Sequence, residues 1–123
     1  MSLRDLHRAR IETFFSALAS GDVDAVMDCY APGAIVEVVA PGPFGGEQQA
    51  SREGVEAFFR AIPEIRFEIL GLLFEGDRAA VEASSKGRLA NGKPYQNRYH
   101  DFFEFREGRI VAFREYPTFP VPG

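Results

Sequence analysis

A chain of 123 residues with 46% hydrophobic content has enough apolar material for one domain, residues 1–123, and too little for two. Its 14 Lys and Arg against 18 Asp and Glu leave a formal charge of -4, with no basic stripe to hold a phosphate backbone, so nucleic acid is not an expected partner. Cys29 is the only cysteine, which excludes an intrachain disulfide and a cysteine metal cluster; no apolar run approaches the roughly 20 residues of a membrane span, and the charged stretch at residues 4–10 does not resemble a signal peptide, so a cytoplasmic setting without membrane attachment is expected.

Residues 3–19 place Leu3, Ile11, Phe14, Phe15 and Leu18 at helical spacing, with His7 one turn before Ile11 on the same stripe, at the helix surface or partly buried. Gly21 supplies a stop and Asp22 a cap, after which Val23, Val26, Met27 and Tyr30 continue the period through a second, shorter helix ended by Pro32-Gly33. Residues 34–40 are rich in β-branched side chains and read as a strand; residues 41–46, with two prolines and three glycines, read as a loop. Ser51 can cap a third helix carrying Val55, Phe58, Phe59 and Ile62, closed by Pro63. Beyond it the apolar period becomes two, and residues 65–74, 79–89, 94–105 and 110–116 read as four strands separated by Gly76-Asp77, Asn91-Gly92 and Glu107-Gly108. This order implies an α+β fold with the helices on one face of an antiparallel sheet.

Hairpin register decides which polar residues share the covered face. A two-residue turn at Asn91-Gly92 pairs Lys86 with Asn97, Ser84 with Tyr99 and Glu82 with Asp101. A type I turn with a glycine bulge at Arg106-Glu107-Gly108 pairs Phe103 with Val111, Asp101 with Phe113 and Tyr99 with Glu115. The inner face then holds Phe103, Phe105, Val111 and Phe113 with Glu82, Ser84, Asn97, Tyr99, Asp101 and Glu115. The outer face holds Arg98, His100, Phe102, Glu104, Ile110, Ala112, Arg114 and Tyr116. Polar groups on a Phe-rich covered face require partners from each other, from water or from a ligand. Glu115 opposite Tyr99 fits either a satisfied cross-strand pair or a ligand contact. Glu82 beside Asp101 would juxtapose two carboxylates that cannot both ionise cheaply.

Five segments together carry a family resemblance: Gly21-Asp22-Val23-Asp24-Ala25-Val26, the run from Cys29 to Glu37, Arg52-Glu53-Gly54-Val55, Asn91-Gly92-Lys93-Pro94-Tyr95, and the ending from Phe103 to Ile110 followed by Arg114-Glu115-Tyr116. In this order they resemble the nuclear-transport-factor-2-like superfamily, and within it the SnoaL-like polyketide cyclases related to ketosteroid isomerase. The resemblance implies a cone-like fold, a strongly curved antiparallel sheet with three helices from the N-terminal half packed on its concave face. Of the ketosteroid isomerase machinery, the base position falls on Val38 and the helix tyrosine on Phe14, and only the sheet acid is retained, as Asp101. The positions used by limonene-type epoxide hydrolases fall on Glu82, Ser84 and Glu115, without their arginine. Many SnoaL-like cyclases end in Glu-Tyr-x-Asp, where this chain has Thr118 in the last place.

Two functional readings follow. One is cofactor-independent isomerase, cyclase or lyase chemistry on a small apolar carbonyl compound, with Glu115 or Glu82 as base, Asp101 and Tyr99 as hydrogen-bond donors to an enolate oxygen, and Asn97, Ser84, Phe14, Tyr30, Val38, Phe103 and Phe113 lining the pocket. The other is a noncatalytic small-molecule binding domain using the same residues. Neither calls for a metal or a cofactor. The mixed outer face suits a homodimer contact. The proline-rich ending, residues 117–122, is expected to lie extended along the pocket rim or in the dimer contact.

Overall fold

The computed structural model describes residues 1–119. The first helix, α1 (Leu3–Ser20), starts at a capping box in which Ser2 and Asp5 exchange hydrogen bonds, and it stops at Gly21, whose φ of 72° is the left-handed conformation glycine adopts without penalty. Asp22 caps α2 (Val23–Cys29), which ends a residue earlier than its apolar period suggests: Tyr30 already has extended backbone and opens the strand β1 (Tyr30–Val38). A short exposed strand, β2 (Gly46–Gln49), follows the breaker-rich loop, beginning at its last residue and running through positions to which the sequence assigns no element. Ser51 accepts a hydrogen bond from Gly54 N–H and caps α3 (Arg52–Ala61). Four long strands complete the chain: β3 (Glu64–Glu75), β4 (Arg78–Arg88), β5 (Pro94–Arg106) and β6 (Arg109–Pro117).

The six strands form one open sheet in the order β2-β1-β6-β5-β4-β3. It is mixed rather than wholly antiparallel, because β1 lies parallel to β6. The α1 face bearing Ile11, Phe14 and Phe15 covers the sheet, and Phe14 meets Phe15, Tyr30, Phe103 and Phe113 edge-on at centroid distances of 5.2–5.8 Å. The register shifts once along each of the β3–β4, β5–β6 and β1–β6 pairings, and such irregularities bend a sheet into the cone-like shape expected of this fold.

Both hairpins depart from the register read from the sequence. At Asn91-Gly92, Leu89 pairs with Lys93, donating N–H to its carbonyl at 2.9 Å, and Gly92 N–H returns to the Leu89 carbonyl. The loop is therefore three residues long, with Gly92 at φ 84°, and the strands slip by one. Ser85 faces Asn97, Ala83 faces Tyr99 and Val81 faces Asp101, so Glu82 and Ser84 lie on the outer face, with Glu82 exposed and paired to His100. At Glu107-Gly108 both residues have positive φ, 52° and 79°, which makes a two-residue hairpin turn pairing Arg106 with Arg109. That turn alone would send Glu115 outward. A bulge at Val111 reverses the parity: Phe105 pairs with Ile110, Phe103 with Phe113 and Asp101 with Glu115. Ile110, expected outside, is fully buried, and Val111 loses its expected place opposite Phe103.

His7 is fully buried, stacked on Phe105 with 4.1 Å between centroids. The described part of the C-terminal extension continues along β5, with Thr118 N–H donating to the Arg98 carbonyl at 2.8 Å. The rest of the proline-rich ending, residues 120–122, lies outside the described residues.

Candidate active site

Between the helices and the inner face of the sheet lies a cavity of about 120 Å³. Phe14, Phe15 and Leu18 of α1, Val26 of α2, Tyr30, Val36 and Val38 of β1, and Val55 and Phe58 of α3 form much of its wall. The strands contribute Phe67, Tyr95, Tyr99, Phe113 and Glu115, and Gln48 and Ser51 stand on the β2–α3 side. Among the described residues, Glu115 is the only carboxylate on the wall.

Glu115 stands between two strands. On β5 its cross-strand neighbour is Asp101; on β1 its parallel neighbour is Val38. Directly opposed residues on one face of a sheet hold their Cβ atoms about 5 Å apart, close enough for the Glu115 charge to act on the Asp101 carboxyl. Glu115 is half-buried and lines the cavity. Burial pushes its carboxyl up to about 7. Asp101 is buried beside it, and neither of its oxygens has a hydrogen-bond partner among the described residues. Burial first, and the neighbouring Glu115 charge second, hold the Asp101 carboxyl well above the ordinary range. Both carboxyls of this pair thus hold a proton more tightly than an ordinary carboxylic acid does.

Three phenols share the cavity. The Tyr30, Tyr95 and Tyr99 hydroxyls are raised above their ordinary value, each chiefly by burial and also by the Glu115 charge, which places all three within its field. They remain neutral hydrogen-bond donors throughout the working pH range. Tyr99 Oη lies 2.7 Å from Ser85 Oγ and 3.3 Å from Tyr95 Oη, which accepts from Asn97 Nδ2 at 2.8 Å.

The structure divides the sequence candidates into three groups. Glu115, Tyr99, Phe14, Tyr30, Val38 and Phe113 line the cavity. Asp101, Asn97 and Phe103 are buried on the same face but do not reach the cavity wall: Phe103 packs beneath Phe14, and Asn97 supports Tyr95. Glu82 and Ser84 are on the opposite face, so the carboxylate facing Asp101 is Glu115, not Glu82. Tyr95 and Ser85 were not among the candidates. The alternation that turns Asn97, Tyr99 and Asp101 inward also turns Tyr95 inward; Ser85 was hidden by the one-residue slip. Among the described residues no group of three His, Cys, Asp or Glu side chains could hold a metal ion, and no helix is long and apolar enough to cross a membrane.

A curved sheet with a helix-covered, phenol-lined cavity and one carboxylate on its wall defines a class of small α+β pocket proteins. The chain belongs to the SnoaL-like domain family, whose model matches residues 11–113. A proposed isomerase from Bacillus subtilis superposes with a TM-score of 0.86 at 20% identity, covering 96% of this chain and 90% of that one. An NTF2-like protein from Anabaena variabilis gives 0.79 at 21% identity, with 97% and 92% covered. IdmH, a proposed polyketide cyclase from Streptomyces antibioticus, gives 0.72 at 18% identity, with 91% of each chain covered. At these identities the likeness establishes the fold. No curated protein sequence matches the chain.

Proposed function

We propose that the protein is a cofactor-independent isomerase or cyclase acting on a small apolar carbonyl compound, with Glu115 as the acid/base group. The observation that carries this reading is a single carboxylate, raised to about 7, on the wall of an aromatic cavity that also presents tyrosine hydroxyls. The Glu115 carboxylate takes a proton from the carbon next to the substrate carbonyl, and the electron pair of that C–H bond passes to the carbonyl oxygen as an enolate. Tyrosine hydroxyls donate hydrogen bonds to this oxygen. The proton on Glu115 then returns to a different carbon, which completes an isomerisation. In a cyclisation, the enolate carbon instead bonds to a second carbonyl of the same molecule and the proton goes to the new alkoxide. A base near 7 is well matched to both proton transfers.

Asp101 works through its neighbour in this reading. It does not reach the cavity wall, so it cannot donate directly to a substrate oxygen; as a neutral acid beside Glu115 it keeps the pair from carrying two charges. The family membership and the names of the isomerase and cyclase neighbours agree with this chemistry.

The test is proton exchange at the α-carbon of small aryl and cyclic ketones in D₂O, followed by NMR, with thermal-shift measurement of binding. Exchange by the wild type that is lost in Glu115→Gln while binding persists supports the proposal. Saturable binding with no exchange for any enolisable ketone tested makes the chain a binding domain instead. The outer face, where Arg114 lies 4.7 Å over the Phe102 ring and Tyr116 is exposed, remains the surface expected to meet a second copy. Light scattering that gives a monomer at all working concentrations removes that expectation.

A further inference from the structure

Asn97 is buried on β5, two residues from Tyr95 and two from Tyr99, and its carboxamide has four partners. Oδ1 accepts from the backbone N–H of Phe119 at 3.1 Å and of Arg98 at 2.8 Å. Nδ2 donates to the Phe119 carbonyl at 2.9 Å and to Tyr95 Oη at 2.8 Å. Turning the amide over would aim its NH₂ at two N–H donors and its oxygen at a carbonyl, so only one orientation is admissible. The backbone at Phe119 thereby requires that the Tyr95 oxygen receive a hydrogen bond from Asn97. The Tyr95 hydroxyl hydrogen must go elsewhere.

Its neighbour is Tyr99 Oη, at 3.3 Å, a long contact that a better acceptor can replace at little cost. Tyr99 in turn sits 2.7 Å from the buried Ser85 hydroxyl, which is free to rotate and donate to it. With Asn97 donating to one phenol oxygen and Ser85 to the other, both phenol hydrogens are left for an acceptor in the cavity that the two rings line.

We propose that Asn97 is a positioning residue. By clasping the C-terminal extension at Phe119 and donating to Tyr95, it aims the Tyr95 and Tyr99 hydroxyls as a two-donor fork for the carbonyl or enolate oxygen of a ring-sized apolar ligand. The ligand's carbonyl chemistry rests on the function proposed above. The fork specifies where its oxygen sits, and the Phe14, Phe58, Phe67 and Phe113 walls specify a flat apolar body. The C-terminal extension thus belongs to the site through one side chain, although Thr118 and Phe119 do not line the cavity.

The probe is acetophenone labelled with ¹³C at the carbonyl, added to the full-length protein and read by isotope-edited infrared spectroscopy. Saturable binding is expected, with the carbonyl band shifted to lower frequency than in a hydrocarbon solvent. Asn97→Asp presents a carboxylate that accepts from Tyr95 instead of donating to it; the band is expected to move back toward the hydrocarbon value and binding to weaken about tenfold. Tyr95→Phe and Tyr99→Phe, which leave the Phe119 clasp intact, should each remove part of the shift. In a Tyr95→Phe background, Asn97→Asp should move the band no further, a result that a merely structural role for Asn97 does not produce. The proposal is overturned by an unshifted band in the wild type, by absence of saturable binding, or by an Asn97→Asp effect that persists without the Tyr95 hydroxyl. None of these readouts depends on turnover: a shifted band without proton exchange refutes the catalytic reading alone, and exchange with an unshifted band refutes the fork alone.

Discussion

Glu115→Gln keeps the shape of the cavity wall and removes the one group there that changes charge near neutral pH. The Glu115 carboxyl titrates at about 7 in the folded protein, against 4.5 for an ordinary glutamate. A carboxyl raised on folding is fully compatible with the native state below about pH 4.5, and its contribution is lost as pH rises through about 7. The gap between the two values corresponds to about 3 kcal/mol by pH 8 and above. Glutamine is neutral at every pH and escapes this loss. Relative to wild type, Glu115→Gln should therefore gain about 2.5 kcal/mol of stability between pH 5 and pH 8.5, roughly 10 °C in Tm for a domain of this size. Urea unfolding of both proteins across that range measures the difference, and because the other titrating groups are common to both, their contributions cancel. Proton exchange at the substrate carbon should be abolished in the same variant. A stability difference that does not change with pH would refute the reasoning, since it would mean that Glu115 is ionised at no extra cost in the fold and has no raised proton affinity to use.

Asp101→Asn tests which member of the pair is neutral: if Asp101 is protonated while Glu115 titrates, an uncharged amide in its place should leave the Glu115 midpoint near 7 by NMR, and a drop of a unit or more would show that Asp101 carries charge. His7 is held below its ordinary value by burial, opposed by Asp77 at 3.6 Å, and among the described residues both its ring nitrogens lack hydrogen-bond partners. The unfolded chain therefore binds a proton that the folded one resists, so stability is present above about pH 6.5 and declines as pH falls below it; His7→Phe, which preserves the stack on Phe105, should flatten that acid limb in denaturation experiments from pH 7 to pH 5. Glu107 has a φ of 52°, a conformation asparagine tolerates better, and Glu107→Asn should raise stability by about 0.5–1 kcal/mol in chemical denaturation without altering ligand binding.

Local signals in the sequence carried most of the fold. Gly21, Asp22 and Ser51 mark helix ends because each supplies a backbone conformation or an oxygen that the helix terminus lacks, and these signals need no tertiary context. Alternation along β5 likewise fixes Asn97, Tyr99 and Asp101 on one face whatever the neighbouring strands do. Cross-strand partners are less legible. Asn91-Gly92 suits a two-residue or a three-residue loop, and the extra residue chosen here exchanges Val81 for Glu82 opposite Asp101. The inward direction of Glu115 depends on two irregularities that cancel, a turn made possible by a glutamate at positive φ and a bulge at Val111, and neither is marked by composition. The clasp between Asn97 and Phe119 joins positions 22 apart in sequence through backbone groups, which every residue possesses and no pattern reveals.

Val38 acquires its meaning from the strand beside it rather than from its motif position. A valine at the place where ketosteroid isomerase carries its base, taken alone, points to a cavity without a base. In the sheet, however, β1 runs parallel to β6, and Val38 is registered beside Glu115. The carboxylate is thus supplied to the same part of the cavity wall from the adjacent strand, where β5 can set Asp101 against its other side. Burial between an apolar side chain on one flank and a buried neighbour on the other withholds water from the carboxylate and raises its proton affinity. On this geometry the valine contributes to the proton affinity of Glu115 by excluding water from one side of it.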